Sequence, residues 1–460
     1  MKIYNTLTKK VEEFVPWNKD VVNMYTCGPT VYSYAHVGNL RTYIMEDVLE
    51  KTLIYLGYNV KRCMNITDVG HLSSDSDTGN DKMVTSAKKE NKTVLDIAKY
   101  YTAAFFVDLE KLNIKKPEIV APATENIEEY IKIISKLLDS GHAYKAGGNI
   151  YFDTSKLDNY YVLTNVSEDS LISAVRDTVE EDTNKKNKND FVLWFTKSKF
   201  DSQELKWDTP FGIGYPGWHI ECTGISLKNL GEYLDIHCGG VDNIFPHHTN
   251  EIAQSESYIG HPWCKYWVHA EHLNDKNGKM SKSNGESLTL STIEKHGYNP
   301  LAYRYMCLTS HYRNQLVFSY DALDNAANAY KKLKNKILSL NEEGTIDEVL
   351  FAKYNNLFKE AISNDLNTSN AITLIYDLLK EDVSNVTKIA LIKEFDKVLS
   401  LDLTIKDEVL NEEYIMEMIE KRKVAKQNKD YALADQIRED LLSMNIVLKD
   451  TREGTIYEVK

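Results

Sequence analysis

A chain of 460 residues is several times the usual domain size, so two to four domains and a sizeable buried core are expected and a small stapled scaffold is excluded. Hydrophobic residues at 42% and charged residues at 27% sit near globular averages, which excludes collagen-like and wholly disordered chains. The formal net charge of -13 argues against a generic DNA coat, yet leaves room for a nucleic-acid partner held by a local basic surface.

The cysteines Cys27, Cys63, Cys222, Cys238, Cys264 and Cys307 are scattered, without the dense spacing of a disulfide framework, so a reducing compartment is expected. The opening MKIYNTLTKKVEEF has no continuous apolar run, and no stretch approaches the roughly 18 apolar residues of a membrane span. A cytoplasmic protein with no membrane partner is expected.

In chain order, Val21–Cys27 reads as a short strand, followed by the breaker pair Gly28-Pro29 and a helical pattern from about Asn39 to Leu56. Val60–Ile66, just after Gly57, reads as a second strand returning to the same sheet. Helical patterns follow from about Thr93 to Leu112 and from about Thr124 to Ser140, the second stopped by Gly141. From about Ala146 to Phe211 short strand-prone runs mix with the tract EEDTNKKNKND, Glu180–Asp190, read as a solvated loop. Chemistry-bearing residues return between Tyr215 and His272, so the sheet is expected to be split by an insertion. Beyond about Val317 the chain turns helical and ends in a predicted β-hairpin. The fold class is α/β, a parallel doubly wound sheet followed by a helical domain with a small mixed cap.

His36-Val37-Gly38-Asn39 stands at the first strand-to-helix turn, where a triphosphate would meet free backbone N–H groups and the positive end of the helix dipole. Gly38 would let a flat base approach the backbone. Alone, a His followed by Gly is more often an ordinary turn or a satisfied core residue. Far downstream, Lys279-Met280-Ser281-Lys282-Ser283 lies between Asn277-Gly278 and Asn284-Gly285, a lysine loop able to clamp pyrophosphate as charge develops on it.

Together HVGN and KMSKS resemble the two signature motifs of class I aminoacyl-tRNA synthetases. The strings YTCGPTVYSYAHVGNLRT, NITDV, DFVLWF, GWHIEC, DIHCGG and FPHHTNEIAQS, and the tail YALADQIREDL with Asn445-Ile446-Val447-Leu448, resemble the cysteinyl-tRNA synthetase family over essentially the whole chain. The resemblance implies a Rossmann-type catalytic domain in residues 1–118 and 211–270, split by a connective insertion at 119–210. It further implies a KMSKS and stem-contact region at 271–320, a helical tRNA-binding bundle at 321–400 and an anticodon-binding subdomain at 401–460. Asn39 replaces the last His of the family's HIGH motif; a neutral donor there predicts altered fine tuning with activity kept. The stretch around Gly70 and His71 also departs from the family pattern.

By the same resemblance Cys27, Cys222, His247 and Glu251 match zinc ligands, one Zn²⁺ per subunit. From the residues themselves, His247 and Glu251 are four apart and share a helix face, two thiolates complete a tetrahedron, and such a donor set suits zinc better than magnesium or calcium; buried free cysteines are the competing reading. His248 adjoins His247 and stands as a second candidate. Zinc coordination would separate cysteine from serine, which differ by one atom, and leave the insertion free for acceptor-end binding and not for editing.

The resemblance places Thr67, Trp218, His219 and His237 in the cysteine pocket, with a core aromatic as the competing reading of Trp218. Catalytic roles fall to His36, Asn39, Lys279 and Lys282, and ATP contacts to Gly38, Asp242 and Lys282, with Asp242 accepting from a ribose hydroxyl and Mg²⁺ accompanying ATP. Cys238 reads as a neighbouring thiol and not a ligand. Lys331, Lys332, Lys334 and Lys336, and again Lys421, Arg422, Lys423, Lys426 and Lys429, form basic clusters that could follow an RNA backbone, with Tyr431 as a stacking candidate. The expected partners are tRNA(Cys), ATP and L-cysteine, without DNA, on a monomer. A ligase with an aminosugar acceptor and a non-catalytic tRNA-binding or zinc-sensing module are the alternatives; the long helical C-terminal part speaks against the first and the pyrophosphate clamp against the second.

Overall fold

The structure is a computed structural model that describes residues 1–69, 72–74, 78–164, 182–197, 203–275, 278–279, 288–406, 412–428, 430–443, 446–451 and 454–459. Its centre is a five-stranded sheet built from β1 (Val22–Thr26), β2 (Val60–Ile66), β3 (Ile119–Pro122), β4 (Leu234–Gly240) and β5 (Cys264–Ala270). The strand order is β5-β4-β1-β2-β3, and every pair is parallel. Strands β1, β2, β4 and β5 are almost wholly buried, as a parallel sheet covered on both faces requires, and they bury Arg62, Asn65, Asp235, His237 and His269 among their apolar residues.

Helix α1 (Val37–Tyr55) follows β1 and starts at His36, whose ring accepts from the Gly38 N–H. Gly57, at φ +94°, turns the chain from the end of α1 into β2, a backbone angle that side-chain-bearing residues avoid. From β1 the chain winds outward through α1 to β2, whereas β4 continues in the opposite direction to β5. A crevice therefore opens between the carboxyl ends of β1 and β4, where Thr26 pairs with Cys238. The edge strand β3 lies just past the boundary expected at 118, so the sheet draws on the beginning of the segment read as insertion.

The insertion forms its own antiparallel sheet in the order Tyr215–Pro216, Phe191–Phe195, Asn149–Phe152, Ala143–Ala146. The tract read as a solvated loop is only partly so. Asp190 is buried and accepts from Tyr144 Oη, Thr154 N and Asn187 N, and Asp182 accepts from Tyr151 Oη. These carboxylates pin the loop to the sheet, a use of charge that composition does not reveal.

The helices Tyr320–Leu338, Glu348–Ser363, Thr368–Leu378 and Asn385–Leu399 pack without a break against the sheet domain. One cluster of buried residues runs from Met24 and Leu53 through Leu301 to Phe358 and Phe395. At the junction a buried ion network joins Asp47 to Arg304 at 2.7 Å and to Lys51 at 2.8 Å, while Arg304 also donates to the carbonyls of Leu399 and Leu112. The last helices, Glu412–Gln427 and Tyr431–Ser443, share a separate core with the terminal hairpin, Ile446–Thr451 and Gly454–Val459, which has the register expected of two antiparallel strands. Among the described residues no helix is long and apolar enough to cross a membrane.

Candidate metal centre and nucleotide cleft

Four donors from three separate parts of the chain meet at the crevice. Cys27 ends β1, and Cys222 lies in the second turn of α2 (Trp218–Leu230). His247 sits in the wide turn that leads into α3 (Thr249–Ile259), and Glu251 in the first turn of that helix. Their ligand atoms all lie within 4.8 Å of one another. Tetrahedral zinc bonds of about 2.3 Å to sulfur and about 2.1 Å to nitrogen or oxygen require edges of about 3.8 Å between sulfurs and about 3.5 Å from sulfur to nitrogen or oxygen. Cys27 Sγ to Cys222 Sγ is 3.9 Å, Cys222 Sγ to His247 Nε2 is 3.5 Å, and Cys27 Sγ to Glu251 Oε1 is 3.9 Å. His247 Nε2 to Glu251 Oε1, at 3.0 Å, is the tightest edge. The residues fit a tetrahedral zinc.

Further histidines orient this set. His219 Nδ1 lies 2.9 Å from His247 Nδ1, and His237 Nε2 lies 2.8 Å from Glu251 Oε2. His248 Nε2 reaches Cys27 Sγ at 3.3 Å, while its Nδ1 meets His269 Nε2 at 2.8 Å and His269 Nδ1 meets Thr6 Oγ1 at 2.7 Å. A second donor combination, Cys27, His237, His248 and Glu251, shares two members with the first but carries only one sulfur. Burial opposes charge throughout. Even so, His237 and His247 hold the Glu251 carboxyl down at about 2, and Glu251 with Cys222 raises His247 to about 10. The Cys222 thiol is lowered against its burial by hydrogen bonds with Cys27 and His247.

Beside these donors lies a cavity of about 450 Å³ lined by residues from Cys27 to Asn39, by Trp218, and by Gly239, Gly240, Asp242 and His272. Trp218, for which a core role competed, lines the cavity and stacks on His247 with ring centroids 4.1 Å apart. The other three expected pocket residues lie behind the wall. Thr67 is buried and donates to Glu221, His219 backs His247, and His237 backs Glu251. His36, Gly38 and Asn39 border the cavity, and burial lowers the His36 imidazole. Asp242 is half exposed, 3.2 Å from His272 Nδ1. Cys238 is buried in the sheet core and is absent from both donor sets, as its reading as a non-ligand requires.

The expectation of free N–H groups at the start of α1 fails. Val37 N donates to Leu288 O, Gly38 N to His36 Nδ1, and Asn39 N to His36 O. The helix caps itself with its own histidine ring, and the chain following the KMSKS segment covers the first amide; His36 and Thr289 form a β-bridge. The HVGN turn is thus met by the chain at Leu288 and Thr289; Lys282 lies outside the described residues. Lys279 is described by its backbone, paired with Asn274. Gly70 and His71 also lie outside.

The basic clusters are weaker than their sequences suggest. Lys331, Lys332 and Lys336 are exposed, but Lys334 is buried and sits over the Tyr330 ring. In the second cluster Arg422 and Lys426 are bound to Asp450, Lys421 to Glu417 and Lys423 to Glu420, so much of its charge is neutralised within the fold. Lys429 lies outside the described residues; Tyr431 is exposed.

With this geometry in view, the profile of the tRNA synthetases class I (C) catalytic domain matches residues 13–328. Cysteine–tRNA ligase of Treponema denticola is 44% identical over 100% of this chain and 99% of that protein. Cysteine–tRNA ligase of Borrelia turicatae is 44% identical over 99% of this chain and 98% of its own length. The chain belongs to the cysteine–tRNA ligase family. Among solved structures, methionyl-tRNA synthetase of Mycobacterium tuberculosis with methionyl-adenylate superposes with a TM-score of 0.58 at 14% identity, covering 85% of this chain and 92% of that one, which shows the shared class I fold.

Sequence reasoning missed the His248–His269–Thr6 chain, the Glu221 partner of Thr67, and Arg41. Their partners lie 21 to 263 positions away or are backbone atoms, and no local spacing signals them.

Proposed function

We propose that Cys27, Cys222, His247 and Glu251 hold one zinc ion, and that the cavity beside them binds cysteine and ATP for adenylate formation. The enzyme is a ligase that joins L-cysteine to tRNA(Cys) with ATP. The single observation that carries the finer reading is a thiol-rich donor tetrahedron opening onto a cleft at the sheet's switch point. When bound there, zinc supplies a soft acceptor for a thiolate, which a serine hydroxyl cannot match.

In the first step the cysteine carboxylate oxygen bonds to the α-phosphorus of ATP and the bond to the bridging oxygen breaks, releasing pyrophosphate. In the second a terminal ribose hydroxyl attacks the acyl carbon and AMP leaves. His36, Asn39, Lys279 and Lys282 stabilise the charge of the first transition state, Mg²⁺ accompanies ATP, and Asp242 accepts from the ribose. Trp218 covers the amino-acid pocket. His219 and His237 act one shell further out, fixing the ring of His247 and the carboxylate of Glu251, while His248 donates towards the Cys27 sulfur. The enzyme is proposed to act as a monomer. The proposed domain limits are those given above, except that Ile119–Pro122 is counted with the catalytic sheet it joins.

The test is cysteine-dependent ATP–pyrophosphate exchange with serine in parallel, followed by transfer to tRNA. Exchange with cysteine and not serine is expected. Lys282→Ala should lower turnover far more than it raises the KM for cysteine; unchanged exchange in that variant removes Lys282 from the reaction.

A further inference from the structure

Arg41 lies on α1, two residues beyond Asn39, and is 3% exposed. Among the described residues no carboxylate pairs with it. Its guanidinium is spent entirely on main-chain carbonyls, with Nη1 donating to Glu271 O at 2.8 Å and His272 O at 2.6 Å, and Nη2 to Asn314 O at 2.6 Å and His311 O at 3.4 Å. A buried charge without a counter-ion persists only where its donors are satisfied, so these two chain segments are held against α1 as tightly as the charge is.

Those segments are the roots of one small ribbon. Leu273–Asp275 begins directly after the gripped carbonyls of 271 and 272, and Leu316–Val317 begins two residues after that of 314 and five after that of 311. The two strands are parallel neighbours, pairing Leu273 with Leu316, and Leu273–Asp275 pairs on its other side with Gly278–Lys279. Arg41 therefore grips the base of the ribbon that carries Lys279, while Val37 N to Leu288 O and the His36–Thr289 bridge fasten the chain again beyond the KMSKS segment. His272, whose carbonyl Arg41 holds, also pairs with Asp242. Arg41 itself does not line the cavity.

We propose that Arg41 is a positioning residue for adenylate formation: it sets the spacing between the first turn of α1 and the Lys279 ribbon without touching substrate. This rests on the roles assigned above to His36, Asn39 and Lys279. A planar fork is needed because its two nitrogens serve two different segments, whereas one ammonium can reach only one pair of carbonyls.

The experiment is Arg41→Lys in the full chain, with exchange rates counted per adenylate-forming site. Turnover should fall about 10- to 100-fold and the KM for ATP should rise, as misplacement of catalytic groups by roughly an ångström does. The KM for cysteine and bound zinc should not change. Hydrogen exchange on the same folded variant should show lost protection at Leu273–Asp275 with β1 and β2 unaffected. Arg304→Lys serves as the control, since Arg304 is equally buried and also reaches α1 through Asp47, but its partners Asp47, Leu112 and Leu399 do not include the Lys279 ribbon; it should lower the melting temperature while leaving turnover per site intact. Wild-type turnover and KM per site in Arg41→Lys, or undisturbed protection of the ribbon, overturns the positioning role and leaves the catalytic reading standing. Absence of exchange in the wild-type enzyme overturns both.

Discussion

Gly28→Ala should disable the metal centre. An ideal Cβ at position 28 falls 1.6 Å from the carbonyl oxygen of Asn65, on β2, where real Cβ atoms essentially never come closer than 3.0 Å. The backbone must therefore yield by about 1.4 Å, and neither partner is a flexible side-chain end. Strands lie about 4.8 Å apart, so this displacement breaks the pairing at the end of the β1–β2 ladder and the 2.8 Å bond from Gly28 N to Asn65 Oδ1. Overpacking of this kind costs about 3 kcal/mol. Cys27 is the adjacent residue, and a metal site tolerates ligand errors of only about 0.2 Å. Purified Gly28→Ala should carry well under one zinc per chain by metal analysis, show little cysteine-dependent exchange, and unfold at lower urea concentration. A variant that retains stoichiometric zinc and wild-type exchange would refute the steric argument.

Three further outcomes follow from individual groups. Gly38→Ala places a methyl 3.4 Å from His36 Nδ1 and 3.8 Å from Leu273 Cβ, so it should fold, with up to about 1 kcal/mol of added helix stability, but raise the KM for ATP; an unchanged KM would mean no ligand approaches Gly38. Burial raises the Glu46 carboxyl to about 8, and neither oxygen has a hydrogen-bond partner. A raised acid loses folding stability as pH climbs from about 4.5 to about 8, so Glu46→Gln should stabilise the protein by about 3 kcal/mol at pH 7 and by progressively less towards pH 5, read from denaturant curves. Asp47 behaves oppositely: burial opposes its charge, but Arg304 and Lys51 prevail and lower it, so its stabilising contribution is present above the usual carboxylate pKa and vanishes as pH falls below it. Asp47→Asn should cost about 3–5 kcal/mol near neutrality and flatten the acid limb of the stability profile.

Local patterns made much of this molecule legible. The first βα unit, the stop at Gly141 and the terminal hairpin were readable because each depends on neighbours in sequence, such as the turn residue Gly57 and the alternation in Ile446–Thr451. The signature strings named the family, and Cys27, Cys222, His247 and Glu251 came together as expected. Where partners are distant, the reading fell short. Nothing near Asp190 announces that Tyr144 and Thr154 will bury it, and nothing near Arg422 shows that Asp450 will occupy its charge.

The sequence by itself determined the inventory of chemistry: which thiols, imidazoles, carboxylates and lysines exist, and in what order along a split α/β chain. Only the tertiary structure decided which of them reach the cavity. It set Trp218 at the wall and Thr67, His219 and His237 behind it, closed the α1 amides that the sequence left open, and gave Arg41 its four carbonyls. The physical reason is that a hydrogen bond or a metal edge is fixed to within tenths of an ångström by strand register and helix packing, and those are properties of residues hundreds of positions apart.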